Sequence, residues 1–178
     1  MEDNVTTVPA VTTRSVGIRY GIINGLIQIV YFLILTTAGL MTSGGFAPWV
    51  GFLISIVVLF LAHKYYKENG DGYMSYGQGI GIGFWTGLVS ATISSIFTYI
   101  YAKIDSGYIA SIREKAIQDM EAQGQSQQQI DTAMKFVEMF TSAEAILVMG
   151  LIFGIIGMII IAVIVSIFTQ KPQPETSI

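Results

Sequence analysis

Two amides one helical turn apart, Asn24 and Gln28, are the first residues in this chain whose types and spacing could do chemistry. They stand in an otherwise apolar run, where a carboxamide is costly unless it is paired. Two readings fit them. In one they are interhelical hydrogen-bonding groups, with Asn24 expected to pair with a Ser or Thr of the third apolar segment. In the other they line a solute path together with Ser90 and Ser94. Tyr31 lies close to the same stripe. Close packing of small residues around the amides is expected to exclude water from both.

His63 is the only histidine, and it stands at the end of an apolar segment beside Lys64 and Tyr65, where solvation is the expected state. Glu68 and Asp71 follow it, but one imidazole and two loop carboxylates do not make a metal site, and no apolar segment carries His and Glu at metal-ligand spacing. The chain has no cysteine, so thiolate chemistry and disulfides are out. No Asp, Glu, Lys or Arg lies in the middle of an apolar segment, whereas proton-coupled pumps generally need one there. The paired aspartates, Ser with His, or zinc-binding motif of an intramembrane protease are also missing. Glu144 only borders the last segment. These residues predict no enzyme activity, no metal and no cofactor.

The most conspicuous motif is "YGQGIGIGFWTGLVSATISSIFTYIY", residues 76–101. Its glycines, at 77, 79, 81, 83 and 87, never take the spacing of a dinucleotide-binding turn. Leu88, not Lys, follows Gly87, which removes the phosphate-binding loop as well. What does fit is helix packing within lipid. Lipid tails are as apolar as Leu, so membrane helices associate through close backbone approach, which small residues permit. Gly79, Gly83 and Gly87 recur every four residues and are joined on that stripe by Thr86, Ser90 and Ser94. Matching stripes are Gly17, Gly21, Asn24 and Gln28; Gly51, Ser55 and Ala62; and Gly150, Gly154 and Gly157. Gly77 and Gly81 fall on the opposite face and could meet a second neighbour.

The elements that carry these residues follow from charge distribution. The chain is 52% hydrophobic and 12% charged, about half the charge of an ordinary soluble domain. Four stretches lack Asp, Glu, Lys and Arg: Tyr20–Leu40, Phe46–Ala62, Gly72–Ala102 and Ala145–Gln170. Crossing roughly 30 Å of hydrocarbon takes about 20 residues, and only helices or closed barrels leave no backbone group unpaired there. The runs are long and do not alternate, so the expectation is an all-α membrane protein with four transmembrane helices, at about 20–40, 46–62, 77–101 and 145–168. Residues 1–18 form a polar head without the pattern of a cleaved signal, and 172–178 a polar tail. A Thr42–Gly45 turn should make spans one and two an antiparallel hairpin, with Pro48 in the first turn of the second. The whole of 19–171 is expected to be one membrane domain.

Residues 103–144 form a polar insert between spans three and four. Ile109, Ile112, Ala116 and Met120 follow the amphipathic period. Gly124 interrupts it, Ser126 with Gln129 resembles a capping box, and Ile130, Met134, Val137 and Phe140 resume it. A helical hairpin is expected, either as a spacer covering its own apolar stripe or as a docking site.

The strings "RYGIINGLIQIVYF" (19–32), "YMSYGQGIGIGFWTGLVSATISSIFTYIYAKIDSGYI" (73–109) and "AMKFVEMFTS" (133–142), with the Gly-rich last span, resemble an uncharacterised bacterial family of four-span membrane proteins catalogued only as a domain of unknown function. The resemblance covers about Arg14 to Thr169. It implies fold and location, and brings no activity and no catalytic residue. Ser106 departs from the Pro expected there.

Together these features predict a multi-pass protein of the bacterial inner membrane. Its partners are the lipid bilayer and either another membrane protein or a second copy of itself. A net charge of −3 without a basic cluster excludes nucleic acid. The leading expectation for function is a structural or accessory subunit; the alternative is an oligomeric transporter or channel for a small solute. Arg19, Lys64, Lys67 and Lys171 flank spans closely on the side of the termini, against Lys103 alone on the other. The bias of basic residues toward the cytoplasm then puts both termini inside. Reporter fusions at residue 125 and at the C-terminus are therefore expected to read opposite sides, with the C-terminus cytoplasmic. A cytoplasmic signal from both would overturn four spans.

Overall fold

The computed structural model describes residues 11–41 and 45–174, and these form six helices with no strand. They are α1 (Thr13–Thr37), α2 (Ala47–Asn69), α3 (Tyr76–Ile104), α4 (Ser106–Ala122), α5 (Gln127–Phe140) and α6 (Ala143–Thr169). α1, α2, α3 and α6 are long and apolar enough to cross a bilayer. Most of the expected turn at 42–45 lies outside the described residues, as do most of the polar head and the end of the tail.

Capping chemistry sets where the helices begin. α1 starts inside the stretch expected to be a polar head, because Thr12 and Ser15 form a capping box: the Ser15 amide donates to Thr12 Oγ1 at 3.0 Å and the Thr12 amide to Ser15 Oγ at 3.1 Å. Ser75 and Gln78 do the same for α3, at 3.2 and 2.7 Å. Asp105 ends α3 and caps α4, accepting the Gly107 amide at 2.9 Å. Ser106 is thus the first residue of α4, a position that also suits proline. Gly124, with φ 75°, makes the turn between α4 and α5. Gln129 Oε1 accepts the Ser126 amide at 2.8 Å at the start of α5.

α3 is the hub, with α1 and α6 packed along it and α2 touching it far less. α1 runs parallel to α3: Gly17 lies against Ile82 and Trp85, Gly21 against Val89, Gly25 against Ile93. α6 runs antiparallel: Gly83 lies against Ala162, Gly87 against Met158, Gly154 against Ala91, Gly150 against Ser95. The gaps leave no room for a side chain. A Cβ at Gly21 would come 2.7 Å from Val89 Cβ, one at Gly87 2.7 Å from Met158 Cβ, and one at Gly154 2.8 Å from Ala91 Cβ. Thr86 and Ser166 are buried in this region, and neither hydroxyl has a partner there. Gly77 and Gly81 do not make a second contact of this kind: a Cβ at Gly77 would meet nothing, and one at Gly81 only Thr13 at ordinary distance.

The bundle has two storeys. On the side of the termini, Val16, Leu59, Ala62, Met74, Ile82, Met158, Ala162 and Val165 form a continuous core. The chain past α6 is fastened there: Met74 and Lys171 exchange amide-to-carbonyl bonds at 2.9 and 2.8 Å, and Gln173 Nε2 donates to Asp71 at 2.7 Å. Arg14 and Arg19 lie over the rings of Trp85 and Tyr65 at the same end. On the opposite side, Phe32 stands edge-on to Phe97, Tyr101 and Tyr108, which ties α4 to α1 and α3. Burial raises the Tyr108 phenol above its ordinary value, so it stays neutral. Arg113 Nε donates to Thr141 Oγ1 at 2.9 Å, linking α4 to the end of α5. The insert covers its apolar stripe only in part: Ile130 is buried, Met134 and Val137 are half-buried and Phe140 is exposed, and Phe136 and Met139 beside the stripe are exposed too.

A leucine at position 83 must displace Ala162 and part α3 from α6, whereas position 77 has open space. Overpacking of this kind costs about 1–3 kcal/mol. Gly83→Leu is expected to lower the thermal unfolding temperature in detergent clearly, and Gly77→Leu to leave it near wild type. Equal behaviour of the two would contradict the packing just described.

Candidate functional site

The second storey is not filled. Between α1, α2, α3 and α6 lies a cavity of about 440 Å³. Its polar side comprises Asn24, Gln28, Ser55, Ser90, Ser94 and Thr98; its apolar side includes Phe32, Phe52, Phe153 and Ile161. Among the described residues, none that lines it is charged. The expectation that small residues close over Asn24 and Gln28 is therefore corrected. The glycines of α1 draw it against α3 and those of α3 draw in α6, but α2 stands away from α3, and the space between them stays open.

Asn24 is also corrected in its partner. It does not pair with α3. Gly17, Gly21 and Gly25 take the face of α1 toward α3, and this turns Asn24 and Gln28 toward α2. Ser55 Oγ meets Asn24 Oδ1 at 3.4 Å, and Gln28 Nε2 donates to Ser55 Oγ at 3.0 Å and to the Gly51 carbonyl at 2.8 Å. One turn on, the Tyr31 hydroxyl donates to the Ala47 carbonyl. Gly51 makes this possible, since a Cβ there would press on Gln28 Oε1. A carbonyl inside a helix already has its intrahelical donor, and its second lone pair is what Gln28 uses.

The α3 wall behaves differently. Ser94 donates to the Ser90 carbonyl at 2.7 Å and Thr98 to the Ser94 carbonyl at 3.0 Å; Ser90 makes a longer bond to the Gly87 carbonyl, 3.4 Å. Each hydroxyl thus spends its proton on its own helix and keeps oxygen lone pairs for whatever enters the cavity. Across from it, Gly150, Gly154 and Gly157 run along the α6 wall; the first two pack on Ser95 and Ala91, and a Cβ at Gly157 would just touch Phe52.

Residues 19–171 match a family described as a protein of unknown function, DUF4199. The chain belongs to the DUF4199 family. No curated protein and no solved structure matches it. The family match spans the cavity, α2, α3, α6 and α1 from Arg19 onward, and assigns chemistry to none of their residues.

One further polar cluster in this DUF4199 chain was not legible beforehand. His63, expected to be solvated, is fully buried. α2 continues to Asn69, almost two turns past the expected end, so His63 lies within the helix and faces α3 and α6. Nε2 lies 3.1 Å from the Gly79 carbonyl and Nδ1 2.7 Å from Thr169 Oγ1. A carbonyl only accepts, so Nε2 carries a proton and donates to it. In the neutral ring Nδ1 then accepts from the Thr169 hydroxyl, which also has the Val165 carbonyl within reach at 2.8 Å. Lys67 Nζ donates to the Thr169 carbonyl at 2.7 Å. One imidazole thereby joins α2 to both neighbours at a point where Gly79 brings α3 against Ser166 of α6. The available signal was spacing: Ser55, Leu59 and Ala62 lead to His63 along one face of α2.

His63→Leu leaves the Gly79 carbonyl without its imidazole partner in a dry core, a loss of about 1–3 kcal/mol. Its unfolding temperature in detergent should fall clearly, while that of Lys64→Ala, at an exposed ion pair with Glu68, should hardly move. Wild-type stability of His63→Leu would return the ring to the surface role its sequence position suggests.

Proposed function

We propose that this protein is a non-enzymatic, multi-pass component of the bacterial cytoplasmic membrane that takes a small uncharged solute into its helix bundle, as an oligomeric transporter or channel would. The cavity carries this reading. At about 440 Å³ it falls within the range of small-molecule pockets, roughly 300–1,000 Å³. Among the described residues, its lining combines an aromatic side with amides and hydroxyls and has no carboxylate, Lys or His. Such a lining suits neutral solutes and offers nothing to compensate an ion or to act as acid or base. Support for both termini in the cytoplasm is the gathering of Arg14, Arg19, Lys67 and Lys171 at one end of the bundle.

A structural or accessory subunit is the second reading. It is favoured by the apolar groove on the outer face of α1 and α2, where Ile23 and Ile27 face Leu53, Val57 and Leu61, a shape that would seat side chains of a partner helix.

Because the chain has no cysteine, single replacements separate the two. In native membranes Ser94→Cys, in the cavity wall, is expected to react with a small uncharged maleimide much faster than Leu59→Cys, in the filled storey. Equal, slow reaction at both would mean that no solute reaches the cavity and would leave the subunit reading.

A further inference from the structure

The cavity lining carries one unspent polar group that goes further than its volume. Asn24 is 2% exposed, and the oxygen end of its carboxamide meets Ser55. The nitrogen end donates to no residue of the described chain. Gln28 differs, since its nitrogen is committed to Gly51 and Ser55. A buried amide left with free N–H groups is expensive unless something occupies them. Facing the same space are Ser90, Ser94 and Thr98, whose protons go to carbonyls of their own helix and whose oxygens remain acceptors.

We infer that Asn24 is the recognition residue of the cavity and that its ligand is an uncharged molecule with a hydroxyl or amide head on an aromatic or aliphatic body. The head accepts a hydrogen bond from the Asn24 carboxamide and donates one to a hydroxyl oxygen of α3. The body lies against Phe32, Phe52 and Phe153. The lack of charge in the lining rejects carboxylates and amines, and the unpaired amide rejects a hydrocarbon of the same shape, because a buried polar group stays unsatisfied beneath it. A ring fits easily, since a cavity of about 150 Å³ already admits benzene. This inference rests on the solute-binding reading and specifies it.

The test uses the full chain in mild detergent and three probes of one size: 4-fluorobenzyl alcohol, 4-fluorotoluene and 4-fluorobenzoate, each followed by fluorine NMR for saturable binding. Wild type is expected to bind the alcohol in preference to the other two. Asn24→Leu should weaken the alcohol about three- to tenfold, the effect of one hydrogen bond, and leave the toluene unchanged or improved. Asn24→Ala, which adds no bulk, provides the same comparison if the leucine variant does not fold; Ser95→Ala, outside the cavity, should bind as wild type does. Binding of toluene equal to that of the alcohol, or alcohol binding indifferent to Asn24, would overturn the role of Asn24 and leave the cavity as a solute site. Equal binding of the benzoate would overturn the neutral class. Saturable binding of none of the probes to wild type would reject the inference together with the solute-binding reading on which it rests.

Discussion

The bundle rests on how close two backbones can come to α3. Apolar side chains gain little by leaving lipid for one another, so helix contact inside a membrane depends on dispersion between well-fitted surfaces and on the few hydrogen bonds that helices share. α3 meets α1 at Gly17, Gly21 and Gly25 and meets α6 through Gly79, Gly83 and Gly87, with Gly150 and Gly154 answering from α6. Several of these glycines face small or β-branched residues on the next helix: Ala162 opposite Gly83, Ala91 opposite Gly154, Val89 opposite Gly21. The contacts are complementary in size, and bulk added on either side has nowhere to go.

Such closeness is not available to every helix. With two sides of α3 taken, α2 is held by polar bonds: Gln28 and Asn24 at the storey near the insert, His63 at the storey near the termini. These bonds reach across a wider gap than a glycine contact does. Where α2 and α6 also bring Leu59, Ala62 and Val165 the gap is filled; where they bring Gly51, Gly154 and Gly157 it is open. Glycine therefore has two opposite effects in the bundle, and Gly150 and Gly154 show both. It closes the α3–α6 contact, and it hollows the wall opposite α2.

The helices and their number were legible because the bilayer imposes a length on any uncharged run, and the cap of α5 because Ser126 with Gln129 three residues on is a local signal. Stripe membership was legible only in part. Gly17, Gly21, Asn24 and Gln28 read as one stripe, yet a helix advances unevenly against a spacing of three and four, and the glycines and amides ended on different faces. Which helix a polar residue meets is set by the arrangement of all four, so Ser55 as the partner of Asn24 could not be read from spacing. His63 was misplaced for a related reason: the charged residues after it suggested that the helix had ended, although Lys64 and Glu68 simply occupy its exposed face. The cavity was the least legible feature, since a void is what remains after every pair of helices has settled, and no residue encodes it alone.

The pairing of Asn24 and Gln28 with α2 also bears on how the chain enters the membrane. A span that carries two amides would be reluctant to leave the aqueous insertion channel alone. Here the groups that answer them, Ser55 and the Gly51 carbonyl, belong to the very next span, joined by a short connection. The first two helices can therefore move into lipid as a partly satisfied pair while α3 is still being synthesised, and the glycine faces of α1 then wait, bare, for the helix that will cover them.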